Sequence, residues 1–203
     1  MRRLIKDGHD WQNININGLE EKSRFYFSFL QYLFIIIAIG SLFINKEGFN
    51  IDFIGYIITA LSLFVGLFMT LILTVYDKFR EIDFDRKNKT ERQKFSLIQK
   101  KNFFKQFTAL TSYSILISIT CILLLSLSLL TNYFNVNVFQ YEFITNVDNI
   151  TWESFLKFIV LSVIILQRVF IIYFFLDFLL MVVYALTSIY HYISIEFDSK
   201  KIN

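Results

Sequence analysis

Long apolar runs, separated by short polar or charged links, dominate the pattern along this chain. Three runs are plain: Phe25–Ile44, Phe53–Tyr76 and Leu110–Leu130. A fourth begins near Phe158 and stays apolar to about Ile193. Runs of about 18 or more apolar residues are the length a helix needs to cross a bilayer. The pattern therefore predicts an all-α membrane protein with four transmembrane helices. The predicted plan is a cytoplasmic segment over 1–24, two spans within 25–76, a basic helical hairpin over 77–109, and a third span over 110–131. An outer loop over 132–154, a long fourth helix over 155–195 and a tail over 196–203 complete it.

The fourth run is longer than a bilayer is thick. A helix rises about 1.5 Å per residue, and the hydrocarbon core is about 30 Å across. If the helix enters at Phe158, Arg168 lies roughly 15 Å in, near the midplane, and Asp177 roughly 28 Å in, near the inner boundary. The piece before Gln167 and Arg168 is too short to cross alone, and no turn residue interrupts the run. One long helix is therefore expected, its inner half buried against protein. The sequence after Tyr76 supplies a partner. It lacks Gly and Pro, and Asp83 with Lys87 and Asp85 with Lys89 stand four apart in helix-supporting order. Helices two, three and four are thus expected to extend into a cytoplasmic helical bundle, with a turn near Asn88.

Charge sets the orientation. Ten basic residues lie between Lys78 and Lys105, and five precede the first span. The link between spans one and two holds only Lys46, and the link between three and four holds none before Lys157. The positive-inside rule then places both termini and the 77–109 link in the cytoplasm. The N-terminal stretch has early positive charge but no apolar core behind it, so it does not read as a cleavable signal. A polar, mobile segment or a short amphipathic one on the membrane surface is expected there.

Candidate chemistry is sparse. The chain has one cysteine, Cys121, and two histidines, His9 and His191. No motif for a nucleotide, metal or nucleophile occurs, so no catalytic, cofactor or metal residue is expected and the chain does not read as an enzyme. The polar residues inside the spans carry what signal there is. Arg168 and Asp177 are nine apart, about 180° around a helix, so they cannot pair with each other. A charge at this depth costs several kcal/mol and must face protein or water. Arg168, Asp177, Gln167, Ser114 and Ser118 are the candidates for a pore or for intramembrane polar contacts. Asp177 also shares a stripe with Tyr173, Tyr184, Ser188 and His191, which reads as a packing seam.

Two spans carry ladders of small or hydroxyl side chains. Ser62, Gly66, Thr70 and Thr74 recur every four residues in the second, a spacing that lets membrane helices approach closely. Thr111, Ser114, Ser118, Cys121 and Ser128 form a heptad-like seam in the third, with Leu125 as its gap. Either is a helix-packing face within the monomer, or a pore-lining or oligomer face. Four helices alone enclose no channel, so conduction requires several copies. The basic link, with Arg86, Lys87, Lys100, Lys101 and Lys105, touches anionic lipid or docks an acidic cytoplasmic effector protein. It shows no aromatic stacking platform, which argues against nucleic acid.

The outer loop alternates polar and apolar residues over "FNVNVFQYEF", which is consistent with a short strand or hairpin. Asn149-Ile150-Thr151 and Asn88-Lys89-Thr90 match the glycosylation pattern, the second on the side predicted to be cytoplasmic.

The segment "FIGYIITALSLFVGLFMTLILTVYDKF", the charged helix after it and the close "RVFIIYFFLDFLLMVVYALTSIYHYI" resemble small four-helix membrane proteins of bacterial antiphage systems. These include the membrane accessory proteins of type VI-B CRISPR loci, the membrane effectors of cyclic-oligonucleotide systems and the membrane subunit of the Kiwa system. The likeness lies in the hydropathy plan over most of the chain. It implies a homo-oligomer in the inner membrane, which either permeabilises the bilayer as a channel or pore-type effector or senses a membrane event and recruits a soluble partner. It carries over no functional residue.

Overall fold

The computed structural model describes residues 1–12, 14, 28–82, 90–130, 137–138 and 152–200. All regular elements among them are α-helices: α1 (Arg2–Asp10), α2 (Phe29–Ile44), α3 (Ile51–Arg80), α4 (Glu91–Leu130) and α5 (Trp152–Lys200). Three stretches are long and apolar enough to cross a membrane: Ile51–Arg80, Gln93–Leu130 and Phe155–Ser194. The apolar helix α2 is shorter, with 16 residues, or about 24 Å of rise.

The absence of proline explains the length of α4 and α5, which run 40 and 49 residues without a break. At about 1.5 Å per residue they reach roughly 60 and 74 Å, well beyond the hydrocarbon thickness. The fourth run is thus present as one continuous helix. The second long helix stops sooner than expected, at Arg80, with a turn at Glu81. The chain resumes at Thr90, whose backbone N–H donates to Gln93 Oε1 at 3.1 Å, while Gln93 N–H donates to Thr90 Oγ1 at 3.4 Å. This reciprocal cap starts α4. The expected turn near Asn88 lies outside the described residues, as do Arg86 and Lys87. So do both glycosylation matches except Thr90, and the outer alternating stretch except Asn137 and Val138.

Arg2–Asp10 of the N-terminal stretch form a helix, the short ordered segment of the two alternatives expected there. Gly8 explains why it holds: a Cβ there would lie 2.6 Å from Tyr113 Cβ, so only glycine lets α1 come so close to α4.

The chain divides into two compact units. One comprises 1–26, 63–117 and 178–203. Its core is aromatic: Phe103, Phe104 and Phe107 of α4 pack with Ala185 of α5, and Val75, Phe79 and Tyr192 close around them. The rings of Phe103 and Tyr192 stack with centroids 4.4 Å apart. Gln106 knits three segments of this unit. Its Nε2 donates to the carbonyls of Trp11 and Ile14 at 3.3 and 2.9 Å, and its Oε1 accepts from Ser188 Oγ at 3.1 Å.

The other unit comprises 27–62 and 118–177. Ala38 of α2, Ile54 and Leu61 of α3, Cys121 and Leu125 of α4, and Ile164 and Ile171 of α5 are buried there. Large apolar side chains on the outer faces of both units stay exposed, among them Phe43, Tyr56, Leu67, Leu73, Val163 and Leu186. In water such faces would drive association. In lipid they are the natural surface of a spanning helix.

Candidate functional site

The polar cluster of the second unit is built on α5. Asp177, 1% exposed, accepts a hydrogen bond on Oδ1 from Gln31 Nε2 of α2 at 3.0 Å. Gln31 is itself fixed, because its Oε1 accepts from the backbone N–H of Ser28 at 3.0 Å and so caps the start of α2. Nine residues earlier on α5, Arg168, 3% exposed, donates from Nη1 to the carbonyl of Lys46 at 3.2 Å. That carbonyl also accepts from Val138 N–H at 3.2 Å, so one oxygen ties α5 to the α2–α3 connection and to a residue between α4 and α5.

This placement explains two opposite charges in an oily helix. The free N–H groups at the start of a helix and the free carbonyls at its end act as partial positive and negative charges. Asp177 stands by the start of α2, where a negative charge is favoured. Arg168 stands just past its end, where a positive charge is favoured. Their spacing of nine residues sets them about 180° apart around α5. Arg168 still serves the same short helix, because the connection comes to it and its side chain is long enough to reach. Arg168 thus stands beside the 45–50 connection. A glycine with φ of 97°, Gly48, makes the turn there.

Two further α5–α4 contacts complete the set. Gln167 Nε2 donates to the carbonyl of Leu124 at 2.8 Å, and Cys121 Sγ donates to the carbonyl of Ile171 at 3.8 Å. Each carbonyl has a second lone pair to offer beyond its helical bond.

Ser118 and Cys121 of the α4 seam are fully buried in this unit, and Thr111 and Ser114 are fully buried in the other. Thr111 and Ser114 return their hydroxyls to the carbonyls of Phe107 and Leu110. The seam is thus a face of close helix packing within each unit. The α3 ladder is the opposite case. Ser62, Gly66, Thr70 and Thr74 are all exposed, and a Cβ on Gly66 would meet nothing within 4 Å. Thr70 Oγ1 donates to the Gly66 carbonyl and Thr74 Oγ1 to the Thr70 carbonyl, each at 3.0 Å. Of the basic residues, Lys101 and Lys105 are exposed and Lys100 is half-buried.

Sequence reasoning missed Gln31, the Lys46 carbonyl and Gln106. A lone amide in an otherwise apolar turn was the available signal for Gln31. Among the described residues no group of three or more His, Cys, Asp or Glu side chains could hold a metal ion. No family model, no curated protein and no solved structure matches this chain.

Proposed function

We propose that the protein is a four-span membrane protein that self-associates through α3 and acts as a channel or pore-type effector. Both termini and the basic link would face the cytoplasm. The observation that carries this reading is the outward face of Gly66, Thr70 and Thr74. It is small, open, and satisfies its own hydroxyls, which suits close approach of a second copy and leaves a hydroxyl-rich wall at the contact. Arg168 and Asp177 do not line the path in this reading, because both are buried and bonded inside one chain. The bacterial inner membrane and antiphage defence are drawn from the charge pattern and from the resemblance of the helix plan.

The test is ion flux from liposomes. Wild-type protein is expected to release a trapped ion, and Gly66→Leu to abolish release while leaving the protein inserted. Release that survives Gly66→Leu would contradict the α3 assembly.

Lys101 and Lys105, exposed along α4, favour a second reading: a membrane sensor or anchor that recruits an acidic cytoplasmic effector. Alanine at Lys100, Lys101 and Lys105 is then expected to release a co-purifying partner. A partner that stays bound would count against it.

A further inference from the structure

A groove of about 870 Å3 opens between α1, α3 and α4 in the first unit. Ligand sites run to about 300–1,000 Å3, so this one is of a size to hold a small amphiphile. Its wall is mostly apolar. Leu4 and Trp11 come from α1, Val75 and Phe79 from α3, and Phe104 from α4. Two cations, Arg3 and Lys105, belong to the same lining. Lys105 is exposed and makes no ion pair among the described residues. Arg3 is also exposed, and its Nε lies 3.7 Å from Asp7 Oδ2.

We propose that this groove binds one anionic phospholipid with a hydroxyl-bearing headgroup. Its phosphate would sit between Arg3 and Lys105, and an acyl chain would lie along the apolar wall.

Three features select this occupant. The lining carries two cations against one acid, so the charge fits an anion. Leu73 and Tyr76 belong to the lining and are also exposed on α3, a helix long and apolar enough to cross a bilayer. The wall is thus continuous with a face that would meet hydrocarbon, and an acyl chain can slide in sideways. A soluble peptide would have to displace lipid to do the same. Asp7, beside Arg3, can accept from a headgroup hydroxyl. Helix α1 has basic and apolar residues on a short amphipathic helix, the type that rests at a membrane surface. Gly8 holds it there against Tyr113, so α1 forms one side of the groove rather than floating free. The inference requires the chain to be membrane-embedded. It requires neither oligomerisation nor conduction.

Trp11 makes the site measurable. The chain has two tryptophans, and the other, Trp152, is 73% exposed on α5. In a Trp152→Phe background, Trp11 alone reports. The full-length protein is reconstituted in vesicles containing brominated phosphatidylglycerol or brominated phosphatidylcholine, whose bromines quench nearby indole. Phosphatidylglycerol is expected to quench with a relative affinity about fivefold or more above phosphatidylcholine, the size expected when basic side chains face an anionic headgroup. Arg3→Glu with Lys105→Glu is expected to remove that preference. Arg2→Glu with Lys101→Glu changes the net charge equally, and it is expected to leave the preference intact.

Equal quenching by the two lipids in inserted protein would overturn the site. So would a preference lost equally in both double variants, since that would be diffuse surface charge. Relief of the quenching by free glycerol phosphate would show a soluble anion site instead and would also overturn it. A chain that carbonate strips from vesicles would refute the membrane reading, and the site with it.

Discussion

Gln31 and Asp177 lie 146 positions apart in sequence, yet the glutamine amide donates to the aspartate carboxylate at 3.0 Å in a place where neither is exposed. The bond joins the first turn of α2 to the middle of α5. It makes a buried carboxylate into part of a helix cap, since the same glutamine caps the Ser28 N–H. Charges in membrane segments are often assigned to transport. Here Arg168 and Asp177 are both engaged at the ends of one short helix.

Removal of either member of this pair deletes one buried hydrogen bond from the other. Asp177→Leu is expected to destabilise the protein by about 1–3 kcal/mol. Gln31→Leu is expected to do the same. The double variant is expected to fall short of the sum, with a coupling of about 0.5–3 kcal/mol. Thermal unfolding of the four proteins in one detergent gives the cycle, and strict additivity would sever the proposed link.

The other end of α2 depends on Arg168. Arg168→Met keeps much of the length and removes the donor to Lys46, with an expected loss of about 1–3 kcal/mol. Hydrogen exchange is expected to quicken in the 45–50 connection. Ion flux per inserted protein is expected to stay at the wild-type level. A variant with normal exchange and altered flux would return Arg168 to the permeation path.

Much of this was legible before any coordinates. The apolar runs give the long helices, and the heptad-like step from Thr111 to Ser128 marks a packing seam, because only small side chains at that spacing let helices close up. The angle between Arg168 and Asp177 also follows from helical periodicity. Their partners do not. Gln31 belongs to another helix, and the Lys46 acceptor is a backbone carbonyl, identical in sequence terms to every other one. The α1 helix was hidden for a different reason. Its stability comes from a close approach at Gly8, and local propensity reads glycine there as a helix-weakening residue.

That close approach can be tested by one methyl group. Gly8→Ala places a Cβ against Tyr113, and the α4 backbone leaves the ring little room to move. A loss of about 1–3 kcal/mol is expected from overpacking, against a gain of under 1 kcal/mol in helix propensity. Protease cleavage within the first 12 residues is expected to speed up. Unchanged cleavage would mean that α1 does not dock there.

Gln106 is expected to hold the same segment from the other side. Gln106→Leu preserves most of its volume and deletes the bonds to Trp11, Ile14 and Ser188. Trp11 fluorescence is expected to shift to longer wavelength as the segment loosens, with the α-helical circular dichroism of the long helices preserved. A spectrum identical to wild type would remove Gln106 from this role.

The most direct test of self-association through α3 is the mass of the protein in mild detergent, corrected for bound detergent, beside that of Gly66→Leu. One defined oligomer is expected for the wild type and a monomer for the variant, with helical content unchanged. A wild-type monomer, or an oligomer that ignores the leucine, would contradict it.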